Sequence, residues 1–140
     1  MSRVFWDSNL FIYLFEDYGP FSERVISLRQ TMLERGDQLL TSYLTLGEIL
    51  VKPLERGDDE VCMRYEAALA AASLMVPFEA KAARIYARLR CDRSLRPPDA
   101  MQLACAGAAG ADLFITNDTR LQAKRVEGIQ FIVSLDRAPL

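Results

Sequence analysis

Four carboxylates stand where they could do chemistry. Asp7 closes the apolar run Arg3-Val4-Phe5-Trp6, Glu48 lies between Leu44 and Val51, Asp99 follows Pro97-Pro98, and Asp118 ends Leu113-Phe114-Ile115-Thr116-Asn117. They matter more because the sequence contains no histidine. Without imidazole there is no Ser-His-Asp or Cys-His catalysis, no His-ligated zinc and no imidazole acid–base cleavage of RNA. An all-oxygen ligand set selects a hard divalent cation, magnesium or manganese. Such ions acidify bound water, align it with a phosphorus centre and offset charge on the leaving oxygen.

Each acid also has a plain structural reading. Asp7, and either Asn117 or Asp118, could cap helices that follow them. Asp99 falls in the first turn of a helix opened by proline, where a carboxylate meets the positive end of the macrodipole. Thr45 and Glu48 have the spacing of a capping box. Against the last reading, Leu44 and Val51 flank Glu48 at helical spacing, so its face is expected to be partly buried, where an unpaired carboxylate is costly. The functional reading therefore rests on convergence of all four. At ~4 Å and an effective dielectric near ~20, each like-charged pair costs roughly 4 kcal/mol. A small domain cannot leave that uncompensated several times over, so a converged quartet needs a cation.

The elements that would bring the acids together can be read from the patterning. Residues 3–6 form a short apolar strand that ends at the polar Asp7-Ser8-Asn9, and 10–16 continue as a helix. Apolar residues recur at Phe21, Val25, Leu28, Met32 and Leu33 between Pro20 and Gly36, which predicts an amphipathic helix over 20–35. A strand is expected over 38–41, a helix over 43–52 stopped or bent by Pro53, and another helix over 58–72. Then come a strand at 74–76, helices at 79–91 and 98–109, a strand at 113–115, a short helix at 119–125 and a strand at 129–133. Strands separated by helices throughout imply a mostly parallel five-stranded sheet with helices on both faces, a single α/β domain over residues 1–140. In such sheets the ligand crevice lies beyond the carboxyl ends of the strands, where Asp7 and Asp118 fall.

Composition sets the outer bounds. At 140 residues and 51% hydrophobic the chain suits one continuous domain. No apolar run reaches the roughly 20 residues of a bilayer span, and no signal-peptide layout precedes Val4, so no membrane and a cytoplasmic location are expected. Cys62, Cys91 and Cys105 are odd in number and unpaired in spacing, and are expected to be reduced thiols that fill helical core positions. The 17 basic and 19 acidic residues give a net charge of −2, which by itself argues against a polyanionic partner. Neutralising four of the acids with metal turns the remaining balance slightly basic.

The segments FWDSNLFIY at 5–13, SYLTLGEIL at 42–50, RPPDAMQLACA at 96–106 and LFITND at 113–118 together resemble the PIN-domain family, in particular the VapC-type toxins of bacterial toxin–antitoxin pairs. Any one of these motifs is weak. Four in order, across essentially the whole chain, are specific. The resemblance implies a PIN-like fold and hydrolysis of RNA by metal-activated water that leaves a 5′-phosphate. It gives Asp7, Glu48, Asp99 and Asp118 the metal positions, with Mg2+ or Mn2+, and Asn9 and Thr116 supporting roles. It also implies a cognate antitoxin and a homodimer.

A basic run, Lys81, Arg84, Arg88, Arg90, Arg93 and Arg96, precedes the third acid. Arginine on an exposed helix is usually a solubilising surface, but Arg93 and Arg96 lie in the loop nearest Asp99 and are the expected RNA contacts. Phe11, Tyr13 and Phe15 could stack on bases, although core packing or a dimer contact accounts better for so dense an aromatic stretch. Two other classes of reading compete. A magnesium-binding phosphoacceptor signalling domain would want an acidic pair near the first strand and a lysine after the last, where this chain has a lone Asp7 and Ser134-Leu135-Asp136. A haloacid-type phosphatase would want a second acid where Asn9 stands. A catalytically silent PIN-like module that binds RNA or protein is the third alternative, against which the intact quartet argues.

Overall fold

The computed structural model describes all 140 residues. Five strands, β1 (Arg3–Trp6), β2 (Gln38–Ser42), β3 (Leu74–Val76), β4 (Leu113–Ile115) and β5 (Phe131–Val133), form one sheet in the order β3-β2-β1-β4-β5. Every pairing is parallel, which sharpens the expectation of a mostly parallel sheet. The strands are short; β1, β2 and β4 are buried on both sides while the edge strands β3 and β5 are partly exposed, and alternate residues of the central strands feed two separate cores. Phe5, Leu40 and Phe114 point to one face, whereas Val4, Trp6, Leu39, Leu113 and Ile115 point to the other.

Helices α1 (Ser8–Phe15), α2 (Pro20–Arg35), α3 (Tyr43–Glu55) and α4 (Asp59–Ala72) cover the Trp6 side, with Leu10, Phe11, Val25, Met32, Ile49 and Leu69 buried there. Helices α5 (Ala80–Leu89) and α6 (Pro97–Ala108) cover the Phe5 side through Ala82, Ile85, Leu103 and Ala104. The chain thus lays down β1, β2 and β3 outward in one direction, then crosses by the opposite face to place β4 on the other side of β1. The order reverses between β1 and β4, and a crevice opens there beyond the strand ends.

Three expectations need correction. Residues 119–125 form turns, not a helix. Within the segment only Leu121 is buried, and the next buried residue, Val126, stands five further on and would not share its helical face. Pro53 does not stop α3, which runs to Glu55 with the proline ring buried in its last turn; the Pro53 carbonyl accepts the Asp58 amide at 2.9 Å. Of the cysteines only Cys105 is buried; Cys91 is exposed in the turn after α5. Burial pushes the Cys105 thiol up to about 11, so it is inert filler.

One backbone contact fixes the connection between β4 and β5. Gly107 in α6 lies against the turn at Glu127-Gly128 so closely that a Cβ on Gly107 would stand 2.3 Å from the Glu127 carbonyl oxygen. Gly128 has φ +87° and faces the Gly107 carbonyl, so neither position accommodates a side chain.

Candidate active site

The β1 chain turns at Asp7, whose amide donates to the Ile115 carbonyl at 3.0 Å and ties the end of β1 to the end of β4. Asp7 is the N-cap of α1, and its Oδ1 accepts the Ser8 amide at 2.9 Å. Its other oxygen accepts the Thr116 hydroxyl at 2.7 Å, and Thr116 Oγ1 in turn accepts the Asp118 amide at 3.0 Å. Thr116 is fully buried and so locks two of the acids to one another. Capping and a place in the crevice are therefore both true of Asp7, because a cap at the switch point faces the crevice.

The four acids line one small cavity of about 90 Å³, together with Ser8, Asn9, Pro98 and Gln102. Larger hollows exist, among them one of about 670 Å³ along Gln122 to Ile132, but none of the four acids lines it. Chemistry, not size, selects the small one. Asp99 reaches it from the first turn of α6, which Pro97 and Pro98 begin. Glu48 reaches it from α3, though not from a half-buried face: the residue is exposed, as is Val51 beside it. What holds Glu48 is a hydrogen bond to Oε1 from the Ser8 hydroxyl at 2.6 Å. No capping box forms, because the Thr45 hydroxyl is turned inward to Gln102 and Thr41.

Beneath the acids lies a buried polar layer that the sequence did not disclose. Gln102 Nε2 donates to Ser8 Oγ at 3.1 Å and to Thr45 Oγ1 at 2.7 Å, and Gln102 Oε1 accepts the Ser42 hydroxyl. Residues from α1, β2, α3 and α6 are joined in this way, and Ser8 is left pointing its hydrogen at Glu48. The signal available was a glutamine three residues past Asp99 in an otherwise apolar helix, which would be buried and would need partners.

Burial drives the electrostatics. It pushes the Asp7 carboxyl up to about 6, against the hydrogen bonds from Thr116 and Ser8, and the charges of Glu48 and Asp99 add to the rise. Burial first, and then the neighbouring Asp118, hold the Asp99 carboxyl above the usual range, opposed by Arg120 and Arg96. Asp118 is held below it, chiefly by hydrogen bonding from Arg120. Arg120 was not anticipated: its Nη2 lies 2.5 Å from Asp118 Oδ2 and 3.6 Å from Asp99 Oδ2. The quartet thus has a cation of its own at one end, which corrects the expectation that an ion alone could offset it. In this arrangement no three carboxylates stand close enough to grip an ion, and Arg120 pairs with two of the four.

The other expected residues divide. Asn9 lines the cavity. Arg96 caps α6 from an exposed position, and its charge acts on both Asp99 and Asp118. Arg93 lies exposed in the connection from α5 to α6, and no such influence links it to the acids. Arg88 pairs with Glu127 at 2.8 Å and Arg90 donates to the Leu95 carbonyl at 2.7 Å, so part of the basic run braces the fold. Phe11 is buried on Trp6, Phe15 stacks on Tyr65 and Tyr13 stacks on Phe21, which places these rings in packing and not on an open face.

Fold and site together define an all-parallel α/β domain with a carboxylate-lined pocket at its switch point. The sequence pattern of the PIN domain matches residues 4–127, and the chain belongs to that family. Its fold is similar to that of VapBC2 from Rickettsia felis, solved bound to a DNA fragment from their promoter, with a TM-score of 0.75 at 15% identity over 94% of this chain and 97% of that one. It is also similar to DNA-bound VapBC from Salmonella typhimurium (TM-score 0.74, 18% identity, 96% and 99% covered). A toxin-antitoxin complex from Klebsiella pneumoniae matches with a TM-score of 0.64 at 22% identity over 93% and 99%. At these identities the likeness is one of fold. No curated protein matches the chain by overall sequence similarity.

Proposed function

We propose that this protein is a divalent-metal-dependent endoribonuclease, a single PIN domain over residues 1–140 that acts in the cytoplasm as the toxin of a type II toxin–antitoxin pair. The observation that carries the reading is that Asp7, Glu48, Asp99 and Asp118, drawn from four separate elements, line one polar pocket in a PIN domain. The fold's resemblance to chains of solved toxin–antitoxin complexes supports a cognate antitoxin as partner, and a homodimer is proposed alongside it as the working assembly. No helix is long and apolar enough to cross a membrane.

The donor set suits Mg2+ or Mn2+ in its chemistry: it is all oxygen, and burial together with neighbouring carboxylates holds Asp7 and Asp99 above their usual range, which a bound cation would oppose. Asp7 and Asp99 would hold the ion directly, with Glu48 and Asp118 completing the site or acting through water. A bound ion supplies acidified water and charge neutralisation at phosphorus. The chain supplies geometry. Thr116 holds Asp7 and the Asp118 backbone at fixed separation, Ser8 aims Glu48 into the pocket, and Asn9 adds a neutral polar wall. Arg96, exposed at the start of α6 with its charge acting on Asp99 and Asp118, would meet an incoming phosphate, with Arg93 further out along the same connection.

Incubating purified protein with RNA, with Mn2+ and with chelator, tests the reading directly. Cleavage products that carry a 5′-phosphate are expected with Mn2+ and not with chelator, and Asp7→Asn is expected to lose at least about 100-fold in rate. Mn2+-dependent cleavage at full rate by Asp7→Asn would remove that residue from the mechanism.

A further inference from the structure

Arg120 does not line the pocket itself but ion-pairs with two of the acids that do. Its guanidinium grips Asp118 through Nε at 3.0 Å and Nη2 at 2.5 Å, and Nη2 also reaches Asp99. The side chain is 50% exposed, whereas those of its partners are 22% and 21% exposed. The cation therefore sits on the solvent side of Asp99 and Asp118, two of the acids that line the pocket. It does not extend to Asp7, whose environment contains hydrogen bonds and like charges but no cation. Its backbone amide donates to Asp118 Oδ1 at 3.0 Å, so its Cα is anchored even when the side chain moves.

These contacts are incompatible with full use of the same oxygens by an ion. An exposed Arg–carboxylate pair is weak, about 1 kcal/mol or less, and a divalent cation that draws on more than two carboxylates outbids it. Once displaced, a guanidinium on an anchored Cα stays within its own side-chain length of the crevice. Its planar fork matches the paired oxygens of a phosphodiester.

We propose that Arg120 is the resident counter-cation of the pocket: it holds Asp99 and Asp118 in the ion's place, yields them when the ion binds, and then grips the phosphate of the RNA. The proposal rests on the ribonuclease reading and adds a substrate contact to it.

Calorimetric titration of Mn2+ into the intact wild-type chain, Arg120→Ala and Arg96→Ala tests the first half. Removing Arg120 is expected to tighten Mn2+ binding about three- to tenfold. Removing Arg96, which acts on the same acids without an ion pair, is expected to tighten it less. Equal shifts in the two variants, or Mn2+ binding in Arg120→Ala no tighter than in wild type, overturn the proposal. For the second half, the KM for a single-stranded RNA at saturating Mn2+ is expected to rise about tenfold in Arg120→Ala and to recover partly in Arg120→Lys. An unchanged KM overturns the phosphate contact. Mn2+-dependent cleavage by wild type with no change in Mn2+ affinity on losing Arg120 defeats this inference alone. A wild-type chain that neither binds Mn2+ nor cleaves RNA defeats the ribonuclease reading as well.

Discussion

Asp7 combines a helix cap, a tie to β4 and a place in the acid pocket, and these roles pull its stability contribution in opposite directions. With its carboxyl raised from 3.8 to about 6, the native state holds a proton between those values that the unfolded chain has released. Stability therefore falls as pH rises through that window; the cost is absent below it and fully present above it. At one unit per 1.36 kcal/mol the penalty reaches ~3 kcal/mol at neutral pH as an upper figure. Asp7→Asn keeps one acceptor and loses the charge, so the ion-free variant is expected to gain about 1–2 kcal/mol at pH 7, read as a higher melting temperature in chelator. The gain should shrink at pH 4.5. A variant that is inactive yet more stable would separate chemistry from folding. Asp7, Asp99 and Asp118 were legible as crevice candidates because each sits beside a strand end or a proline, whereas Glu48 was picked out by an apolar pair that does not form a buried face. Ser8, Gln102 and Arg120 were not legible, because their roles depend on partners such as Ser8 and Gln102, 94 positions apart, that meet only in three dimensions.

Helices and strands were read from period and punctuation, and those signals failed where tertiary contacts replaced them. Pro20 and Gly36 bound α2 as expected, and Pro97 opens α6. The segment after β4 misleads: Thr119 to Arg125 is polar enough and long enough for a helix, but Asp118 and Arg120 bond across two residues in a turn and Gly128 docks on α6. Glu48 misleads in a different way. Leu44 and Val51 suggested a buried face, but α3 buries Thr45, Ile49 and Pro53 instead. At this scale the sharpest test is Gly107→Ala. The added methyl would strike backbone, not a flexible side chain, so a loss of about 2–3 kcal/mol in denaturant unfolding is expected. The same change should lower the proposed Mn2+-dependent cleavage, because α6 carries Asp99.

Over the whole molecule, the parallel sheet separates labour. Its two buried faces supply the stability, and the crevice at the β1/β4 reversal collects charge that the cores could not accept. The fold class was legible from the alternation of strands and helices, whereas the strand order that creates the crevice was not, since period 2 and period 3.6 say nothing about which strands pair. If the proposed metal-dependent reading holds, a site whose negative charge Arg120 meets only at one end should gain stability from a bound ion. Mn2+ at about 100 times its dissociation constant is expected to add ~2.7 kcal/mol, seen as a rise in melting temperature that chelator reverses and Asp7→Asn abolishes.

The contact between Gly107 and Gly128 has a consequence for how this protein can drift. A surface connection ordinarily lengthens and shortens freely between relatives. Here both ends are pinned, at one by the Thr116 hydroxyl on the Asp118 amide and at the other by glycine against glycine. Lys124 is also held, to Asp92 and Ser94 on the neighbouring connection. Extra residues therefore have room only around exposed, unpinned positions such as Ala123 and Arg125, and an insertion next to the Thr116–Asp118 tie would be felt at once by the fourth acid.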